Sequence, residues 1–338
     1  MDREFVPSGE QLALRDAVRD HCARAWDEAA VRAVAEHGKQ APQAWRALGE
    51  QLGVLGLLVP ERFGGADAGV VEAAVVAEEL GAALAPVPYL STLYATRLLL
   101  DAGDEQACAD LLPGLCDGSR SAAVADSFTA TVVDATTATD LFVVSDGVLC
   151  HATTADRTPV STLDLTRPQA DVVIDPATAR RIGPVDARAA RNVVLALLAA
   201  EQVGVARTML DLAVSYAKER RQFGRPIGSF QAVKHRCADM LVELELARSV
   251  AAHAAWTLDH GDEAGGDDPD LAASLAHVVT SQAARAVTAG AMQVLGGVAI
   301  TWEHRAHLYY KRAIASAALW GGRAHRARLA ELVLSTKE

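Results

Sequence analysis

Aromatic side chains are scarce in this chain, at only 5% of its 338 residues. The core must therefore be aliphatic, and the Ala-, Leu- and Val-rich stretches at 193–198 and 271–287 read as helices buried on most faces. Paired cysteines are missing as well. The five present, Cys22, Cys108, Cys116, Cys150 and Cys237, are irregularly spaced and form no C-x-x-C pair. That pattern excludes a cysteine-built metal or redox centre and suits the reduced thiols of a cytoplasmic protein. Positive charge is in deficit: a formal net charge of −11 sets an unfavourable field against nucleic acid, so no such partner is expected. No uninterrupted apolar run reaches membrane-spanning length, and Asp2, Arg3 and Glu4 stand where a secretory leader would be basic and then apolar. No membrane partner is expected either.

What is present falls into three textures, at a length that suits two or three domains. Ser8, a capping residue, is followed by Glu10 and then by apolar Leu12, Ala13 and Val18, which predicts a helix start. Further helices are expected over 42–51, 70–80, 92–102 and 105–112, making residues 1–118 an N-terminal helical domain. Between 119 and 187 Thr, Val, Asp and Ser predominate, and the runs 128–133, 141–144, 148–150 and 171–174 suit the strands of a small, shortened β domain. Ser145-Asp146-Gly147 between two apolar runs signals a hairpin. Helical texture returns in residues 188–338, a C-terminal helical bundle whose acidic, Gly-rich interruption at 260–269 reads as an exposed loop. The fold class is mostly α with a small β domain.

The most informative segment runs from Tyr216 to Met240. Helical spacing holds up to Tyr216, Gly224, Pro226 and Gly228 break it, and a second helical period begins near Phe230 with Val233, Cys237, Met240 and Leu241. A helix therefore ends at a basic cluster. Arg220, Arg221 and Arg225 could hold a phosphate, because a guanidinium offers a planar fork to phosphate oxygens. The alternative is an ordinary helical hairpin with a solvated basic turn.

Within this segment Arg220, Gln222, Phe223 and Gly224 spell Arg-x-Gln-Phe-Gly, followed by Phe230-Gln231 and Ala238-Asp239-Met240. A second element, Gln-x-x-Gly-Gly, stands at Gln293, Gly296 and Gly297. A third, Leu58 through Gly65 with Glu78-Glu79-Leu80-Gly81, lies near the N-terminus, and Asp164-Leu165-Thr166-Arg167-Pro168 lies in the middle. Together these motifs resemble the acyl-CoA dehydrogenases, strongly at both ends of the chain and least in its middle. The resemblance implies a helical N-terminal domain, a middle β domain and a C-terminal four-helix bundle. It also implies FAD at a subunit interface, an acyl-CoA substrate and an electron-transfer acceptor. By this resemblance Arg220, Gln222, Phe223, Gln231, Gln293, Gly296 and Gly297 reach a cofactor shared with a neighbouring subunit. Their chemistry suits that role: Arg220 can neutralise pyrophosphate, Gln231 and Gln293 can both donate and accept, Phe223 offers a flat apolar face, and Gly296-Gly297 let a ligand approach the backbone. Singly, each has a plainer reading, as core aromatic, surface amide or helix C-terminus.

Two features depart from the family pattern. Residues 123–151 contain neither the Thr-Glu-Pro-like nor the Trp-x-x-Asn-like strand that holds the flavin ring. The carboxylate that removes the α proton of an acyl thioester is also missing from both family positions, which here hold Trp320-Gly321-Gly322 and the neighbourhood of Val194. The catalytic residue is thus unknown. Glu201 and Glu303 are nearby acids, Glu201 reading better as a packing or hydrogen-bonded position. His304 and His307 share a helical face, but with no third ligand they read as packed or solvated and no metal is expected. The stretch from Trp302 to Tyr310 resembles actinobacterial members that assemble from two different chains. The leading expectation is therefore a subunit lacking the base in a heterotetramer that acts on a steroid-derived or branched acyl-CoA. A self-sufficient homo-oligomeric dehydrogenase or oxidase and a non-catalytic structural paralogue are the alternatives. The Ala-rich helix over 271–294 suits packing on a second subunit.

Overall fold

The computed structural model describes residues 7–38, 41–261 and 267–335. Six helices come first: α1 (Gly9–Ala25), α2 (Glu28–His37), α3 (Pro42–Glu50), α4 (Val70–Ala82), α5 (Tyr89–Ala102) and α6 (Glu105–Cys116). The expected start holds, since the Ser8 hydroxyl accepts from the Gln11 backbone N–H at 3.1 Å and the Gln11 side chain accepts in return from Ser8 N–H at 3.0 Å. Helix α2 was not expected from the sequence, although its signals were present. The Asp27 carboxylate caps it by accepting from Ala30 N–H at 2.8 Å, and Gly38 ends it at φ 64°. Helix α6 continues past its expected end at 112 because burying Leu115 and Cys116 outweighs the hydrogen bond lost at Pro113.

Seven strands follow: β1 (Ala122–Ala125), β2 (Thr129–Val133), β3 (Asp140–Ser145), β4 (Val148–Ala152), β5 (Asp156–Val160), β6 (Gln169–Val173) and β7 (Ala179–Pro184). They form two sheets, ordered β1-β3-β4-β7 and β2-β6-β5, with only the β1–β3 pair parallel among these neighbours. The hairpin read at Ser145-Asp146-Gly147 joins β3 to β4, with Asp146 at φ 51° and Gly147 at φ 71°. Strands β1, β5 and β7 had no separate signal, and β6 starts two residues before the apolar run that announced it. The sheets share a small aliphatic core including Ala123, Leu141, Val143 and Val172.

The C-terminal helices are α7 (Ala187–Glu219), α8 (Gln231–His260), α9 (Pro269–Leu295), α10 (Ala306–Ser316) and α11 (Gly322–Ser335). Helix α7 packs against α4, α8 and α9 at the centre of the largest core, which explains why its sequence is apolar nearly all round. Where α4 crosses α7 the backbones meet at Gly81 and Gly204; a β-carbon on either would run into the backbone of the other helix. By length and composition alone, Ala187–Glu219 and Pro269–Ile300 would pass for membrane-crossing helices, although neither is an uninterrupted apolar run. For α7, 89% of the apolar window is buried inside the protein, the signature of a core helix, against 44% for the second. The acidic loop read at 260–269 lies largely outside the described residues; beyond it, Asp268 caps α9 by accepting from Asp270 N–H at 2.9 Å.

Candidate active site and cofactor half-site

The basic turn after α7 is built by its own breakers. Arg220 leaves the helix in an extended conformation, and two-residue strands β8 (Arg221–Gln222) and β9 (Arg225–Pro226) pair around Phe223 at φ 51° and Gly224 at φ 77°. Pro226 cannot continue a helix, and Gly224 takes the left-handed geometry at no steric cost. Helix α8 then starts at Gln231, one residue after the expected point. Phe223 is 92% exposed, its ring centre 6.1 Å from that of Phe230 in an edge-to-face pair, while the Arg225 guanidinium lies over Phe230 at 4.1 Å. Among the described residues, neither Arg220 nor Arg221 is in an ion pair. The Gln222 amide turns back to donate to the Arg221 carbonyl at 2.9 Å.

Helices α8 and α9 are joined antiparallel, with Gly290 against Met240, so the end of α9 lies at the same end of the bundle as the start of α8. There Gln293, Gly296 and Gly297 are exposed, like Arg220, Gln222 and Gln231. Gly296 adopts φ 70°, and a β-carbon on Gly296 or Gly297 would meet open space. All seven residues read as cofactor contacts thus stand on the surface at one end of the bundle.

A separate cleft of about 730 Å³ opens where α5, the sheets, α7 and the segment after α10 meet. Tyr94, Asp126, Arg191, Trp320 and Gly321 line it, and of these only the Trp320-Gly321 element was singled out from sequence. Trp320 sits at φ 47° and Gly321 at φ 95°, a turn in which a side chain on Gly321 would be strained. The Trp320 ring meets Tyr94 edge-on at 6.5 Å. Burial pushes the Tyr94 hydroxyl pKa up, opposed by the charge of nearby Arg191. Val194 is fully buried. Neither family position for the base therefore carries a carboxylate, and Asp126, at the end of β1, is the carboxylate that lines the cleft.

Glu201 is engaged elsewhere. It is buried in a network where Arg167 donates to it at 2.5 Å and Arg312 approaches at 3.4 Å. Arg312, 1% exposed, also pairs with Asp164, whose other oxygen accepts from the Thr166 hydroxyl at 2.6 Å. Burial raises the Asp164 carboxyl pKa, but Arg312, Arg167 and Thr166 outweigh it and hold it below the usual carboxylate range. The Asp164–Pro168 motif is thus a buried latch between the β region, α7 and α10. Glu303 is exposed on the loop before α10, where Arg32 donates to its carbonyl and to that of Trp302. His307 donates to the Trp302 carbonyl at 3.1 Å and stacks on its ring, and the His304 ring accepts from Ala306 N–H at 3.2 Å. Among the described residues no group of three metal-ligating side chains gathers there.

Family models for the acyl-CoA dehydrogenase N-terminal domain and the acyl-CoA dehydrogenase C-terminal domain match residues 8–119 and 191–330. Acyl-CoA dehydrogenase IpdE2 of Mycolicibacterium smegmatis is 40% identical over 316 residues, covering 93% of this chain and 95% of that protein. This chain belongs to the acyl-CoA dehydrogenase family. Among solved structures, the Tcur3481-Tcur3483 steroid ACAD G363A variant superposes with a TM-score of 0.85 at 28% identity, covering 97% of this chain and 98% of that one. The ChsE4-ChsE5 complex from Mycobacterium tuberculosis contains a chain with the same fold, at a TM-score of 0.87 and 24% identity over 99% of each chain. For an acyl-CoA dehydrogenase the unmatched stretch is telling: it holds the two sheets, where the flavin-ring strands of the family were already missing from the sequence. The fold and the relatives mark the chain as an oxidoreductase of the FAD-dependent acyl-CoA dehydrogenase type.

Proposed function

We propose that this chain furnishes the nucleotide-side half of a shared FAD site and acts with a dissimilar, base-bearing acyl-CoA dehydrogenase subunit in α,β-desaturation of an acyl-CoA. The observation that carries this reading is the exposed end of the bundle, where Phe223 stands 92% exposed beside Arg220, Gln222, Gln231, Gln293 and Gly296-Gly297. So large an exposed ring, held out on a left-handed turn next to unpaired guanidinium groups, has contact capacity that a free surface leaves unused. The donor set fits the dinucleotide: Arg220 faces the pyrophosphate charge, the glutamines suit ribose and adenine, and the open space over Gly296-Gly297 admits a ligand to the backbone. Bound FAD supplies a hydride acceptor for the β carbon. With Gly321 and Val194 at the family's base positions, the proton acceptor comes from the partner chain.

Likeness to the two-component steroid enzyme supports a steroid-derived acyl group and a dissimilar partner. The proposed assembly is a heterotetramer that works in the cytoplasm and passes its electrons to an electron-transfer acceptor. Residues 1–118, 119–187 and 188–338 act as its helical, β and bundle domains. Expression of this chain alone should give a colourless, inactive protein, and co-expression with a base-bearing acyl-CoA dehydrogenase chain a yellow, active one, read by flavin absorbance and turnover. A yellow and fully active homo-oligomer would sink the proposal. A second reading, self-sufficiency, draws on Asp126 in the cleft. It requires that Asp126→Asn abolish turnover by this chain in the absence of any partner.

A further inference from the structure

Three charged side chains one turn apart on α2, Glu28, Arg32 and Glu36, converge on a loop 270 residues further along the chain. The Arg32 guanidinium donates to the Trp302 carbonyl at 2.6 Å and to the Glu303 carbonyl at 2.5 Å. Glu28 accepts from the same guanidinium at 3.0 Å, which sets its plane. A planar fork that spans two successive carbonyls fixes the peptide between them. The Trp302 indole N–H donates in turn to the Glu36 carboxylate at 2.7 Å. His307 donates to the Trp302 carbonyl at 3.1 Å and stacks on its ring, and the Lys311 ammonium lies 5.1 Å from the ring centre. Trp302 is thus gripped at its carbonyl, its indole N–H and its ring, although 47% of it is exposed.

The gripped loop begins at the cofactor half-site. Gly296 and Gly297 leave α9, a short 3-10 turn runs from Gly296 to Ile300, and Trp302 follows two residues later. Within that turn only Ala299 is buried, Val298 and Ile300 are exposed, and a β-carbon on either glycine would meet open space. Adjacent glycines with no side chain to anchor them leave the backbone a wide choice of conformations. Order has to come from the two ends. At one end Gly296 N–H donates to the Met292 carbonyl of α9; at the other stands Trp302, held by α2. Helix α2 buries Val31 and Val34 and turns its Glu28-Arg32-Glu36 row to this loop.

We propose that Arg32, Glu36 and Trp302 are positioning residues for the cofactor half-site. From the N-terminal helical domain they hold the Gly296-Gly297 turn in the open geometry that admits a dinucleotide to the backbone, without touching the dinucleotide themselves. A turn ordered in advance loses less freedom when the ligand arrives, so the clasp slows its release. This role rests on the shared-flavin reading and adds to it a contribution from α2.

Arg32→Met, Arg32→Lys and Arg220→Met test it, with two measurements on each. Amide hydrogen exchange over residues 297–303 is followed on the chain alone, and the rate of FAD release, by flavin fluorescence, on the complex co-purified with a base-bearing acyl-CoA dehydrogenase chain. Arg32→Met should speed both the loop exchange and FAD release about tenfold. Arg32→Lys should recover about half of that loss on a logarithmic scale, because an ammonium reaches one carbonyl where the fork reaches two. Arg220→Met should speed FAD release and leave the loop exchange unchanged. If Arg32→Met does not fold, Trp302→Phe, which keeps a ring and removes the donor to Glu36, is read in its place, with about a threefold effect on both rates. Unchanged loop exchange in the folded variant, or faster exchange with unchanged FAD release, overturns the clasp. The two readings fail distinguishably: faster release in Arg220→Met alone leaves the shared flavin standing without the clasp, whereas release unchanged in Arg220→Met sinks the shared flavin and the clasp with it.

Discussion

Glu201 is the acid a sequence reader reaches for once the usual base is missing, and its surroundings decide against it. One of its oxygens accepts from Arg167 and the other lies 3.4 Å from Arg312 in a buried network, so its work is structural. Glu201→Ala should lower stability by about 3–5 kcal/mol in a chemical-denaturation series, because it strands buried guanidinium charge. Asp134 behaves in the opposite sense. It accepts from the Ser91 hydroxyl at 2.6 Å, and burial pushes its carboxyl up to about 6 despite the opposing pull of Arg167 and the Ser91 hydrogen bond. A raised pKa contributes stability that is present below the unfolded value of about 4 and lost as pH rises through 6. Asp134→Asn keeps a residue tolerant of its φ of 62° and removes the charge, so it should raise stability by about 2 kcal/mol at pH 8 and by little at pH 4. Thermal melts at the two pH values check this. Neither role could be seen in the sequence, because one depends on which arginines are brought within reach and the other on how deeply the fold buries the carboxyl.

At the scale of elements, the helices other than α2 and the broken junction after α7 were legible because period and punctuation are local. Gly224 and Pro226 announced the turn, and Asp146-Gly147 announced the β3–β4 hairpin. Strands β1, β5 and β7 were not legible, being short pieces whose pairing comes from partners far along the chain. Two elements invite tests. Phe223 touches little within its own chain, so Phe223→Ala should leave the melting temperature within about a degree while lowering the flavin content of the co-purified complex several-fold. Gly204→Ala acts the other way. Its added methyl meets the backbone at Glu78 where α4 crosses α7, so it should cost about 1–3 kcal/mol in denaturant and lower the yield of folded protein.

For the whole molecule, acid is the informative perturbation. Burial raises the Asp140 carboxyl, but His151, Arg120 and Thr139 bind it and hold it far below the ordinary range, and Asp164 is held down in the same way. A depressed carboxyl contributes stability that is present above its unfolded pKa and lost as pH falls toward the folded one. The melting temperature should therefore drop steeply below about pH 4, and the drop should be shallower in Asp140→Asn. Asp140 ties β3 to Arg120 on the approach to β1 and to His151 on β4, so circular dichroism should show the strand signal going before the helical one.

The family, the helical ends and the motifs proposed to contact the cofactor were legible in the sequence alone, because each rests on side chains a few positions apart along one segment. Tertiary structure decided the rest. It showed that the seven proposed cofactor contacts face outward from one end of the bundle, that Glu201 is locked in an ion network, and that Tyr94, Arg191 and Trp320 meet around a single cleft. Those groups come from segments about a hundred residues or more apart, and only the packing of α5, α7 and the chain beyond α10 sets the distances between them.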